Sequence, residues 1–496
     1  MRVVIHAQMN LGEIDIASIQ LDPKSRDDIP KIVRGLQFIY TETKLRESVF
    51  SILREIKAPR VGGEGQADAQ LGRPGMEQWT TLVLGMLRQG LNADADRLHE
   101  LANQHSTIRQ MLGHGDWADT TRYSLQAIKD NLKLLTPELL DRINQEVVRA
   151  GHAVLKKSAE TGLNVRADSF VVETDVHFPT DINLLLDAIR VVVETCGKAS
   201  AERGWSDWRK HAHHLRQFRK AYFRLQRMRY SNSKDLAKKQ AKEAEVRQGY
   251  AELLEHAAGL FEKASLTRDR LKSLSYFDME WSTIDAFIQH GERQIDQIRR
   301  RVLNGEAIPH DEKVFSLFQP HTEWISKGKA GVPVELGVRV AIVEDQYRFI
   351  LHHMVMEKTT DDKVAIVLIE ETKKRFGPID SASFDKGFHS QPNQAALNDL
   401  VPLVVMPKKG KLSKADKARE SNPEFIRLRR KHSGVESAIN GLESDGLDRC
   451  PDDGIVGFKR YVAMAVVARN VQRLGAILRQ REQAAHKKRQ ALRKAA

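Results

Sequence analysis

The stretch Arg166–Asp181, RADSFVVETDVHFPTD, constrains this chain more than any other. Phe170, Val171, Val172, Val176 and Phe178 are β-branched or aromatic, and Pro179 stops the run, so a buried strand is predicted. The same stretch holds four carboxylates: Asp168, Glu173, Asp175 and Asp181. Acidic groups on a core strand are costly to bury unless something positive neutralises them, and a divalent cation is a common answer. The strand is therefore read as bringing the first ligand of a two-metal site. Asp385, at a strand end before the turn Lys386-Gly387, and Glu436, on a late helix, would complete it. Such a site polarises and cleaves phosphate esters, and its hard oxygen donors suit Mg²⁺ or Mn²⁺. Each residue also has an ordinary alternative. Asp168 could cap the turn before its strand, and Asp385 could be a plain turn residue. Ser433-Gly-Val-Glu436 fits a capping box, in which Glu436 only satisfies a helix N-terminus.

The partner class comes from charge. Lys and Arg number 79 against 66 Asp and Glu, a formal net charge of +13. That balance favours a polyanion, usually nucleic acid, over the plainer reading of a basic soluble protein. No run approaches the roughly 20 apolar residues of a membrane helix, and no secretory signal is read at the start. Cys196 and Cys450 lack CxxC spacing, which fits a reducing cytoplasm and not a disulfide framework or a zinc site. A length of 496 residues fits two to four domains.

Along the chain, a weak alternation within residues 1–22 suggests a short strand, and apolar spacing predicts helix from Ser25 to about Ile56. Residues 58–75, rich in Gly and Pro, read as a linker. Three short helices are predicted from Met76 to Gly113, the second capped by Asn92; they suit a helix-turn-helix reader or a plain bundle. Thr136-Pro-Glu starts another helix, and Asn183–Thr195 is helical. Residues 200–308 read as a helical insertion, basic in its first half, in which Arg216, Arg219 and Arg227 flank the apolar face Leu215, Phe218, Tyr222, Leu225. A solvated hairpin would look similar, but the arginine density favours a phosphate-contacting arm. His211-Ala-His213-His214 lacks the Cys or carboxylate partners of a metal site. Strands are predicted at Val314–Phe318, Val334–Glu344, Tyr347–Met356, from Ile379 to the turn at Lys386-Gly387, and at Val401–Met406, with the basic turn Lys327–Gly331 among them. Helices follow at Asp361–Phe376, Gln394–Asp399, Glu424–Lys431, from Ser433, and at Phe458–Leu478. Lys408–Lys417 is a basic loop, and the last residues, 479–496, read as a basic disordered end.

Three blocks together resemble bacterial insertion-sequence transposases of the DDE type, most closely the ISNCY group. They are Asp168-Ser-Phe-Val-Val-Glu-Thr-Asp-Val-His-Phe-Pro-Thr-Asp181, Phe384-Asp385-Lys-Gly-Phe-His-Ser390, and His432-Ser-Gly-Val-Glu436-Ser-Ala-Ile-Asn440. Gly446–Cys450, Gly457–Tyr461 and Ala468-Arg-Asn470 continue the third block, and Arg73–Gly113 is similar to the N-terminal helical domain of these enzymes. The resemblance implies an α/β fold with an RNase H-like mixed-sheet catalytic core, an N-terminal helical domain and a large all-helical insertion. The divisions would be a helical segment at 1–60, a helical DNA-binding domain at 61–160, the core at 161–199 and 309–480, the insertion at 200–308, and a basic tail at 481–496. Asp168, Asp385 and Glu436 would hold two Mg²⁺ (or Mn²⁺) ions. Asp168 is preferred over Asp175 because Ser169 follows it, as Ser or Thr follows the family's first Asp. The enzyme would cleave double-stranded DNA at terminal inverted repeats and join 3′-hydroxyl ends to target DNA, as a homodimer on DNA. Arg216, Arg219, Arg227, Lys408, Lys409, Arg429, Arg430 and His432 would meet the DNA. The family's Tyr, Arg, Glu, Lys pattern around the catalytic Glu is here Arg429, His432, Glu436, Glu443, so some DNA contacts must differ. Two other functions share these features: a non-catalytic DNA-binding protein derived from such a fold, and a metal-dependent nuclease that does not join.

Overall fold

The computed structural model describes residues 3–5, 14–56, 75–115, 119–158, 161–228, 235–274, 279–326 and 333–495. The expected linker at 58–75, except its last residue, and the basic turn Lys327–Gly331 lie outside them. The fold is mixed α/β, mostly helical, around one mixed seven-stranded sheet. The chain divides into two compact units, Met1–Asp175 with Ile325–Ala496, and Val176–Trp324. The segments expected separately at 1–60 and 61–160 thus share the first unit with the sheet. Their Ile32, Leu36, Trp79, Leu82 and Leu140 belong to the same continuous core as Val165 and Ala167 of the sheet.

The strands are β1 (Leu163–Thr174), β2 (Glu323–Ser326), β3 (Val334–Glu344), β4 (Ile350–Met356), β5 (Ile379–Phe384), β6 (Leu403–Val405) and β7 (Arg449–Cys450). β1 is central. It runs antiparallel to β3, which is antiparallel to β4 in turn, and β2 also pairs with β3. On its other edge β1 runs parallel to β5, which is parallel to β6. The pairing with β5 ends at Ala167 opposite Phe384, and β7 takes up the same edge only at Glu173 and Thr174. Period-two alternation then divides β1 between two layers. Val165 and Ala167 face the large core, whereas Phe170 and Val172 face Val435, Ala438 and Leu442 of the helix Gly434–Leu442.

The helix Gly454–Ala495 serves both layers. Phe458 and Val462 join one core, and Met464, Val467 and Val471 join the other. It crosses the helix Ile29–Thr41 at backbone distance: a Cβ on Gly475 would lie 1.9 Å from the Lys31 carbonyl oxygen, and one on Gly35 would lie 2.3 Å from that of Val471. Asn470 on this helix is fully buried and acts like a short strand. Its Oδ1 accepts from Ile350 N at 2.9 Å, and its Nδ2 donates to Ile350 O at 2.8 Å and Asn144 Oδ1 at 2.7 Å. With Asn144 Nδ2, which donates to the same Ile350 O at 3.1 Å, that pairing satisfies buried backbone groups at the start of β4.

The second unit is helical, with Asp181–Glu202, His211–Arg227, Leu236–Leu274 and Met279–Ile298 around their own core of Trp208, Phe218, Leu253 and Phe261. Trp208 Nε1 donates to Thr267 Oγ1 at 2.7 Å, which satisfies the one polar atom of a buried indole. The expected insertion at 200–308 is therefore the middle of a larger helical unit.

Several expectations change. The opening strand stops at Thr174, and Phe178, 59% exposed, leaves the strand before Pro179. No strand forms over Val314–Phe318. There Ser316 Oγ accepts from Phe318 N and Gln319 N, closing a local turn that competes with a ladder. The short helix expected after Asn92 starts one cap later, with Asp94 accepting from Arg97 N. Residues 14–22 hold a 3-10 turn, Ile16–Ser18, in place of a strand. Part of the basic loop is the helix Lys414–Glu420, capped by Ser413 and Asp416. The basic C-terminal tail is not disordered. It continues the helix to Ala495, because nothing after Gly475 breaks a run of Arg, Gln, Ala and Lys.

Candidate functional site

Asp168 lies one residue past the last β1–β5 pair, and Asp385 one residue past the end of β5. Neighbouring strands run about 4.8 Å apart, so the register alone sets the two backbones side by side. Asp168 shares its β1 face with Phe170, and that face carries the helix Gly434–Leu442, which brings Glu436 in its first turn. A fourth carboxylate, Asp361, opens the helix Asp361–Phe376. Ser169 connects it to the strand: its Oγ–H donates to Asp361 Oδ1 at 2.6 Å while its N–H donates to Asp168 Oδ1 at 2.8 Å. On its other side Asp361 Oδ2 lies 2.7 Å from where a Cβ on Gly387 would be, so that turn passes close only because residue 387 is glycine.

The electrostatics agree with this convergence. Burial is the largest cause that lifts Asp168 to about 6; the Ser169 N–H bond opposes the rise, and the charges of Asp385, Asp361 and Glu436 contribute to it. Among the described residues none of the four carboxylates forms an ion pair with Lys or Arg. Of the ordinary alternatives, Asp385 does stand at a turn, its carbonyl accepting from Phe388 N at 3.3 Å, though its side chain caps nothing; Asp168 sits within its strand, and Ser433 donates to Arg430 O instead of forming a capping box with Glu436.

Around the carboxylates, Arg166 orders the approach to Glu436. Its Nη2 donates to Asp345 O at 2.9 Å and lies 2.7 Å from Glu344 Oε2, while its Nη1 donates to Lys431 O at 3.2 Å. A Cβ on Gly434 would be 2.1 Å from that Nη1, so glycine lets the guanidinium reach the carbonyl end of the helix Pro423–His432. His432 Nδ1 lies 3.1 Å from Ser383 Oγ on β5. Burial lowers the His432 pKa, Asp385 and Glu436 oppose it, and Arg166 adds to the lowering.

Asp175 stands apart. It is exposed past the end of β1, 3.6 Å from Arg449, which also pairs Glu173 at 3.2 Å. Asp181 pairs Arg301 at 2.9 Å within the helical unit. Of the expected phosphate contacts, Arg216, Arg219, Arg227, Lys409 and Arg430 are exposed and have no ion-pair partner among the described residues. Lys408 instead turns to Asp416 Oδ2 at 2.5 Å, and Arg429 sits 3.8 Å from Glu420. His432 faces the carboxylates and not the outer surface.

Asp361 was the residue that sequence reasoning passed over. Its only local signal is the acidic pair Asp361-Asp362 after Thr360, which reads as an ordinary helix start. The donor chemistry suits a hard divalent cation: four carboxylates, with no Lys or Arg paired to them among the described residues. As they stand, no three His, Cys, Asp or Glu side chains among the described residues are arranged to hold one. Asp385 and Glu436 are exposed, and no side-chain hydrogen bond fixes either, so both can rotate inwards. No family model, no curated protein and no solved structure matches this chain.

Proposed function

We propose that the first unit is an RNase H-like catalytic core and that the protein is a DNA transposase of the DDE type. The observation that carries the reading is the placement of Asp168 and Asp385 at adjacent strand ends, beside the helix that carries Glu436 and near Asp361, as carboxylates without Lys or Arg pairing among the described residues. The strand order supports it. Three antiparallel strands, β4, β3 and β1, are followed by β5 and β6 parallel to β1, with the carboxylates in β1, after β5 and on a later helix.

Asp168, Asp385 and Glu436 would hold Mg²⁺ or Mn²⁺, with Asp361 beside them. When bound, such ions offset the charge that develops on a reacting phosphate. The protein's own groups set the geometry. Ser169 holds Asp168 and Asp361 by its N–H and O–H, and Arg166 fixes the break between the helices that precede and carry Glu436. Burial keeps His432 neutral at pH 7, so beside Asp385 it leaves the negative charge of the site in place. Exposed Lys409 and Arg430 would neutralise backbone phosphates, which position DNA without reading its sequence. Holding two DNA ends together requires at least a homodimer on DNA.

The test uses duplexes carrying the DNA that flanks the chain's own coding sequence. The intact protein should cleave them with Mg²⁺ or Mn²⁺ and join the 3′-hydroxyl ends to a second DNA. Asp385→Asn should lose cleavage by about a thousandfold while keeping DNA affinity within about twofold, because the carboxylate acts on the reacting phosphate and not on binding. Metal-dependent cleavage retained in that variant overturns the assignment. Cleavage without joining would identify a nuclease.

A further inference from the structure

We propose that the exposed end of the C-terminal helix is a rigid arm that binds the phosphate backbone of duplex DNA. It deepens the reading above by adding a DNA-binding surface, and it needs only the DNA partner of that reading, not the catalysis.

The helix Gly454–Ala495 is anchored by its buried half, in which Val462, Val466, Val467 and Val471 have essentially no exposure. The last fastenings are Arg479, buried and donating to Asp22 O and Ser25 O, then Glu482 paired with Arg34 at 2.6 Å, and Gln483 donating to Pro23 O at 2.7 Å. Past Gln483, the one interaction among the described residues lies within the helix, between Gln490 and His486. Residues 480–492 are all exposed.

That stretch cannot be stable for the usual reason, since it has no apolar face against a core. Its charge also works against it. Arg481, Lys487, Lys488 and Arg489 stand against Glu482 alone, and that glutamate is already paired with Arg34. Like charges within a turn or two repel. A ligand with a dense, regular negative charge would remove this repulsion, and duplex DNA presents one phosphate per roughly 1.7 Å of its axis. From Ala484 to Ala495 the helix runs roughly 18 Å at 1.5 Å per residue, long enough to follow one groove edge. Continuity with the buried half fixes its direction in the unit, so little ordering entropy opposes binding.

The test replaces Lys487, Lys488 and Arg489 together by Gln in the full chain. Gln is a good helix former and removes only the charge. Binding of the intact protein and the variant to a random-sequence duplex is measured by fluorescence anisotropy across a salt series. Each phosphate contact contributes about 0.9 to the slope of log K against log salt, so the variant should lose roughly 2 to 3 from the slope. Its affinity should fall at least about tenfold at low salt. An unchanged slope and affinity overturn the proposal while leaving the DNA reading intact, whereas no salt-dependent DNA binding by the intact protein overturns both. Loss of self-association in sedimentation with an unchanged slope also overturns it, and assigns the arm to contact between copies.

Discussion

Asp168→Asn is expected to stabilise this protein at neutral pH while removing the central carboxylate of its site. Burial is the largest cause that lifts Asp168 from 3.8 to about 6, with Asp385, Asp361 and Glu436 adding to it. Between those values the unfolded chain has lost the proton and the folded chain keeps it. The folded state then binds more protons, so stability falls as pH rises through about 4 to 6 and stays reduced above. A shift of roughly two pH units, at 1.36 kcal/mol each, corresponds to about 3 kcal/mol. Asn must itself be desolvated, though its Oδ1 can still accept from Ser169 N, so a net gain of about 1–2 kcal/mol near pH 8 is the expectation. Urea denaturation with a chelator present, from about pH 4 to 8, measures it. Near pH 4, close to the unfolded value of 3.8, most of the penalty is gone, so the variant's gain should shrink towards pH 4 and grow as pH rises. If the proposed site holds Mg²⁺ or Mn²⁺, the added ion should stabilise the parent more than the variant, since it would bind only the folded state. A variant less stable than its parent near pH 8 without divalent ions, or a gain that does not shrink towards pH 4, would refute the reasoning.

Two further outcomes test other parts of the molecule. Charge reversal of Arg216, Arg219 and Arg227 together should weaken duplex binding and flatten its salt dependence, because all three are exposed and without ion-pair partners among the described residues; an unchanged salt slope in an anisotropy titration would leave them a structural or protein-facing role. Gly475→Ala should destabilise by about 1–3 kcal/mol, since a Cβ there meets the Lys31 carbonyl, a backbone atom that cannot turn aside; urea denaturation checks it, and a neutral result would mean that the two helices cross with more room than they show.

Local pattern alone determined most of the elements. A β-branched and aromatic run located β1, the strands β3 and β5 and the helix Asp361–Phe376 were legible at their positions, and Thr136-Pro-Glu marked the start of the helix Pro137–Val154. These signals are local because backbone hydrogen bonding and side-chain direction repeat every two or 3.6 residues. They failed where a local bond competes, as Ser316 does over the expected strand at Val314–Phe318. They also failed where charge was read as disorder, as in the helix up to Ala495.

The site was legible only in part. Asp168, Asp385 and Glu436 could be named from their surroundings, but their meeting depends on the register Ala167 opposite Phe384 and on which face of β1 receives the helix Gly434–Leu442. Strand parity would set Asp168 and Asp175 on opposite faces of a longer strand; in the fold β1 ends at Thr174 and Asp175 stands past it, beside Arg449. Asp361 carries no sequence mark beyond an acidic helix start, and it joins the group through Ser169 and the closeness of Gly387. In the same way Lys408 reads as a free cation until the fold brings Asp416 to it. Residue type and spacing set what each segment can become, whereas contacts between distant segments exist only once the sheet register and helix packing have chosen their neighbours.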